Sequence, residues 1–112
     1  MSECPLEVGV QDVKSMLDAG EDFVLLDCRR PDEHEFARIG GESFVPMDEL
    51  PDRVAELGED RDRKIVVYCH HGSRSLMVAR WLRHQGWTRA QSMRGGIDQW
   101  SVEINPSLPR YG

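Results

Sequence analysis

The stretch 65-IVVYCHHGSRSLMVARWLRHQG-86 constrains the fold more than any other part of the chain. Its first five residues are apolar and largely β-branched, too few for a free-standing helix, and they read as a buried strand. Residues 75–86 follow a helical period instead. Leu76, Ala79, Leu82 and Arg83 share one face, Met77, Val78 and Trp81 widen it, and Gly86 suits the position just past the helix end. A strand that passes through a short loop into a helix is the building unit of parallel α/β sheets. In such sheets ligands collect beyond the carboxyl ends of the strands, and Cys69 stands at one of those ends.

The rest of the chain alternates in the same way. Helical segments are expected over 10–20, 31–38, 51–58 and 97–104, and strands over 23–27, 43–46 and 90–93. Pro31 and Pro51 suit first helical positions, and the acids after Pro31 favour a helix start. Residues 105–112 hold two prolines and read as an extended tail packed on the domain. No repeat or Ser/Gly linker divides the 112 residues, so one domain over 1–112 is expected.

Composition excludes several function classes. A net charge of -6 argues against nucleic acid as the main partner. No apolar run approaches the roughly 18 residues of a membrane-spanning helix. The start, MSECPLEVG, has neither the basic nor the apolar region of a secretory signal. Cys4, Cys28 and Cys69 form no CxxC pair, so zinc-ribbon and thioredoxin-type sites are unsupported. A cytoplasmic protein with reduced thiols is expected, without metal or cofactor, and nothing demands a dimer.

The loop 69-CHHGSR-74 carries the chemistry. Unpaired N–H groups at a helix N-terminus carry partial positive charge and favour an anion. Gly72 allows the backbone to curl, and Arg74 adds a permanent cation. A thiol placed there is expected to ionise more easily than a free one and to act as a nucleophile. Sulfur transfer through a persulfide and phosphoryl or arsenate chemistry both use such a cradle. The four residues between Cys69 and Arg74 make a small loop, suited to one extra sulfur atom rather than a phosphate. A cation is also disfavoured at a helix start, so Arg74 calls for an anion beside it.

Three segments together resemble a single-domain rhodanese, a thiosulfate-type sulfurtransferase. They are 69-CHHGSR-74, 25-LLDCRRPDEHEFARIGG-41 and 95-GGIDQW-100, in the family's order. The closing GGIDQWSVEINPSLPRY is also similar to rhodanese domains fused to ubiquitin-activating-like enzymes that supply sulfur to carrier proteins. The resemblance implies a central parallel sheet of about five strands with helices on both faces. It implies Cys69 as the sulfur acceptor, with the loop residues His70, His71, Gly72, Ser73, Arg74 and Ser75 around the persulfide or incoming anion. Asp27 and Arg29 match a family Asp-x-Arg and would support the loop's surroundings. Donors would be thiosulfate or a protein persulfide, and acceptors cyanide, a thiol, a sulfur-carrier or a thioredoxin-like protein. Two departures stand out: Cys28 lies where the family usually has an aliphatic residue, and 38-RIGG-41 lies where it often has His-Ile-Pro-Gly.

Alternatives remain at single positions. Cys69 as a mere buried hydrophobe is one, and a carrier module with little turnover is another. Adjacent His70 and His71 diverge in a tight loop, so they are expected at the rim rather than sharing a metal with Cys69; general-base work by either stays open. Cys28 reads as core, with a disulfide to Cys69 as the functional alternative. Cys4 reads as incidental, Trp100 as core, Gly95–Gly96 as a turn bordering the site, and 59-EDRDRK-64 as a solvated connection.

Overall fold

The computed structural model describes residues 4–112. Residues 1–3, part of the stretch that shows no secretory signal, lie outside the described residues. Five parallel strands form one sheet in the order β1-β5-β4-β2-β3. They are β1 (Glu7–Val8), β2 (Val24–Asp27), β3 (Ser43–Phe44), β4 (Ile65–Tyr68) and β5 (Ala90–Met93). The helices are α1 (Val10–Asp18), α2 (Pro31–Phe36), α3 (Leu50–Arg53), α4 (Ser73–His84) and α5 (Gly96–Glu103).

The three inner strands are buried at every position. A strand covered on both faces cannot alternate apolar with polar residues, which is why β2 and β4 read as continuous apolar runs. On one face Leu26, Val67 and Cys69 pack beneath Val78, Ala79 and Leu82 of α4, with Leu50 and Leu57 beside them. On the other face Leu25, Val66 and Tyr68 meet Val13 and Met16 of α1 and Ile97 and Trp100 of α5. Helices therefore cover both faces, as expected, and Trp100 is core. No helix among the described residues is long and apolar enough to cross a membrane.

Local departures have local reasons. β1 has no sequence signal: two residues carry no periodicity, and only parallel pairing with Ser92 and Met93 defines it. The strand over 43–46 shortens to Ser43–Phe44, and α2 stops at Phe36 because Ala37 is extended. The helix over 51–58 is a broken coil of 3-10 turns at Met47–Glu49 and Val54–Leu57 around the short α3. Its deepest anchor is Leu50, ahead of the proline, whereas Val54 is only half-buried.

The helix after the loop begins at Ser73 rather than Ser75, with Gly72 at φ 109° just before it. Its buried face is Ser75, Val78, Ala79 and Leu82. Leu76 is half-buried and Met77 is 60% exposed, so the inward stripe lies one position back from the predicted one. Residues 59–62 are exposed, and Arg63 and Lys64 tie the connection to Asp22 and Glu21 at 2.8 and 3.1 Å.

One glycine fastens the loop to the rest of the fold. Gly96 has φ 62°, and a Cβ there would lie 2.5 Å from the Cys69 carbonyl oxygen and closer still to that of His70. Gly20 has nearly the same φ, 66°, but open space around it. Gly20→Ala should cost about 1–2 kcal/mol, the strain of a left-handed L-residue. Gly96→Ala should cost clearly more, because backbone must move. Urea unfolding of the two variants checks this, and equal losses would remove the steric argument.

Candidate active site

Cys69 lies immediately after β4, where the chain leaves the sheet, and its side chain is buried at 1% exposure. Two backbone N–H groups converge on its sulfur. Gly72 donates at 3.1 Å and Ser75 at 3.3 Å. The positive φ of Gly72 turns the chain back over the cysteine, and Ser75 contributes an N–H from the first turn of α4, one of the donors a helix start leaves unpaired. The Ser75 hydroxyl lies 3.5 Å from the sulfur, 3.1 Å from the Gly72 carbonyl and 2.7 Å from the Ser92 hydroxyl. Ser92, on β5, had no sequence signal. Ser73 is exposed at the helix start and makes none of these contacts.

Arg74 has the anion that its position called for, and the anion is internal. Its guanidinium forms a fork with both Glu33 oxygens, at 2.6 and 2.8 Å. Glu33 is buried at the third position of α2, and its carboxylate also accepts from the Arg30 N–H and the Tyr111 hydroxyl. Burial pushes this carboxyl up, but the hydrogen bonds from Arg74, Tyr111 and the Arg30 N–H outweigh it and hold Glu33 at about 2. Tyr111 links onward to Arg29, whose guanidinium donates to its oxygen at 3.0 Å. Arg29 is fully buried and grips both oxygens of Asp27, at 2.9 and 2.8 Å, and the Ala37 carbonyl at 2.6 Å. His34 reaches Asp27 at 2.9 Å. Asp27 and Arg29 thus lie at the far end of a continuous chain, Asp27–Arg29–Tyr111–Glu33–Arg74. A cleft of about 450 Å³ opens beside it, bordered by Arg29, Arg30, Pro46, Met47 and Arg74.

The imidazoles stand outside the cradle. His70 stacks on Tyr111 at 3.8 Å and lies 3.8 Å from the His71 ring, so the adjacent rings converge on one side of the loop rather than diverging as expected. Burial and the neighbouring His71 push the His70 imidazole below its ordinary value. Ligand atoms of His70, His71 and Asp98 lie within 4.8 Å of one another, but Arg110 holds both Asp98 oxygens, at 2.9 and 3.0 Å. Gly95–Gly96 does border the loop: the N–H groups of Ile97 and Asp98 donate to the Cys69 and His70 carbonyls at 2.9 and 3.1 Å. Cys28 is buried one residue past β2, and Cys4 is half-exposed; all three thiols are free.

The rhodanese-like domain model matches residues 9–103. The chain belongs to the rhodanese-like family. It is 35% identical over 106 residues to a sulfurtransferase of Allochromatium vinosum, covering 95% of this chain and 97% of that one. It is 35% identical over 91 residues to a rhodanese-like/PpiC domain-containing protein 12, chloroplastic, of Arabidopsis thaliana, of which the chain covers only 30%. The crystal structure of thiosulfate sulfurtransferase from Pseudomonas aeruginosa superimposes with a TM-score of 0.81 at 31% identity, over 96% of this chain and 20% of that one.

In this rhodanese-like domain Glu33 and Tyr111 are the residues that sequence reasoning missed. By sequence Glu33 reads as a helix-start acid and Tyr111 as part of a tail. A faint signal existed in Arg74, a cation needing a partner, and in the lone aromatic of the PSLPRYG ending. Their bond has a pH signature. Glu33 falls from an ordinary 4.5 to about 2, so its ionised form favours the fold. That contribution, at most about 3 kcal/mol, is complete above pH 4.5 and disappears as pH falls through 2. Tyr111→Phe should lose about 1–3 kcal/mol at pH 7, the worth of a hydrogen bond to a charge. The deficit should narrow between pH 4.5 and 2, where Glu33 protonates. Urea unfolding across that range measures it, and a deficit independent of pH would show that Tyr111 acts through packing alone.

Proposed function

We propose that this protein is a sulfurtransferase that carries sulfane sulfur on Cys69. The Cys69 thiolate attacks the outer sulfur of a donor such as thiosulfate and forms Cys69–S–S⁻, with sulfite leaving. A thiophilic acceptor, cyanide or a thiol, then takes the outer sulfur and returns the thiolate. The carrying observation is the convergence of the Gly72 and Ser75 N–H groups on a sulfur at a strand end. Donors already in place for one soft anion stabilise charge without reorganising. The small loop, with four residues between Cys69 and Arg74, supports sulfur over a phosphate-sized group. The sulfurtransferase of A. vinosum, matched over nearly its whole length, supports the same chemistry.

A carrier with little turnover of its own is the second reading, and the Arg74–Glu33 fork favours it. A guanidinium already matched by a carboxylate attracts an anionic donor less strongly than a free one. Protein donors or acceptors, such as a sulfur-carrier, a thioredoxin-like protein or a persulfide donor, fit that reading. An apolar groove of about 200 Å³ lined by Met47, Leu50, Met77 and Trp81 offers apolar surface to such a partner.

Thiosulfate treatment followed by intact-mass measurement should add one sulfur to wild type, removable by cyanide, and none to Cys69→Ser. Turnover retained by Cys69→Ser in the thiosulfate–cyanide assay would end the proposal. Arg74→Ala should raise KM for thiosulfate about tenfold, or ~1.4 kcal/mol, with kcat moving much less. Adding Glu33→Gln should recover stability but not KM. An unchanged KM in both variants would assign Arg74 to the fold and not to the donor.

A further inference from the structure

We infer that Cys28 is a second reactive thiol, placed to resolve a Cys69 persulfide into a Cys28–Cys69 disulfide with release of hydrogen sulfide. This step deepens the sulfurtransferase reading and rests on its persulfide.

The two cysteines stand side by side at the ends of neighbouring strands. β2 and β4 pair Asp27 with Tyr68, so the next residue on each strand continues that register. The Cys28 N–H still donates to the Tyr68 carbonyl, at 3.2 Å. Side chains alternate along both strands. Leu26, Cys28, Val67 and Cys69 belong to one core cluster, and Leu25, Val66 and Tyr68 to the other. Cys28 and Cys69 therefore face the same way. Paired strands run about 4.8 Å apart, within the roughly 4.4–6.8 Å between Cα atoms that a disulfide spans. The Cys28 sulfur leans toward β4, 3.5 Å from the carbonyl of the residue before Cys69. Both thiols are free and each is 1% exposed.

The reaction balances without an outside oxidant. The Cys28 sulfur attacks the inner sulfur of Cys69–S–S⁻, and the bond between inner and outer sulfur breaks. The outer sulfur departs as hydrosulfide and takes the Cys28 proton. Two thiol sulfurs are oxidised to a disulfide while the sulfane sulfur is reduced to sulfide. An external thiol then reduces the disulfide and restores both cysteines. Burial, with the nearby Cys69 and Asp27, pushes the Cys28 thiol up. A thiol held protonated attacks slowly, so an external acceptor takes the sulfur first when one is present. Resolution overtakes transfer only when a loaded site waits.

The test compares wild type with Cys28→Val, which keeps an apolar side chain of similar size, and with Cys28→Ser. Each full chain is loaded with thiosulfate, freed of donor, and held without oxygen or added thiol. Intact mass, trapped sulfide and peptide mapping follow the fate of the sulfur. Wild type should lose the added sulfur, release sulfide and give a peptide linking Cys28 to Cys69. Both variants should keep the persulfide at least tenfold longer, until cyanide removes it. Equal decay in all three proteins, with no linked peptide, would overturn the inference and leave the sulfurtransferase reading intact. Failure of wild type and both variants alike to gain sulfur on Cys69 would overturn that reading, and this step with it.

Discussion

The carbonyls of Cys69 and His70 accept hydrogen bonds from the first turn of α5, and the surroundings of the sulfur depend on those two contacts. A loop of six residues has few ways to satisfy its own polar groups. With its first two carbonyls drawn outward to Ile97 and Asp98, the chain turns at Gly72 and directs N–H groups inward at the sulfur. The approach is possible only because Gly96 has no side chain where the loop passes. The N-terminus of α5 is thus spent on holding the loop, and the start of α4 is the one that meets the sulfur.

A second constraint holds the side chains around that loop. Five residues from four separate segments are joined by charge and hydrogen bonding: Asp27 at the end of β2 with Arg29 just past it, Glu33 on α2, Arg74 on α4 and Tyr111 in the tail. Buried ionic groups are costly unless each lone pair and proton finds a partner. Here Arg29 is shared among Asp27, Ala37 and Tyr111, and Glu33 among Arg74, Arg30 and Tyr111. Tyr111 is the hinge of the arrangement. It accepts from a cation and donates to a carboxylate, a task that phenylalanine cannot perform. Burial and Glu33 push its hydroxyl up to about 12, with Arg29 acting against them, so it remains a donor across the range where the carboxylate is charged.

Much of the fold was legible in the chain because the inner strands and α4 carry their own periodicity. Residues 65–69 could not be a helix, and the Leu82 face could not be exposed. What stayed hidden depended on other segments. β1 exists only through its partner β5. The turn over 47–57 follows the core under Leu50 rather than any local pattern. The cradle could be read from Cys69, Gly72 and the helix start, since backbone donors follow from local geometry. The partner of Arg74 could not, because the loop and Glu33 are forty-one positions apart and only the register of β2 and β4 brings them together.

The result is a division of labour within the site. The sulfur is held by backbone N–H groups, and the backbone is held by glycines and by α5. Side-chain identity at His70 and His71 enters neither task; their rings stack outside, against Tyr111 and each other. Changes at these two positions would alter the surface beside the loop while the N–H donors to sulfur stay where they are. Met77 extends the same logic. It is exposed only three residues past Arg74, and a flexible thioether adapts to apolar partners of varied shape. A fold built this way can keep one sulfur chemistry at the strand end and change the company it keeps at the rim.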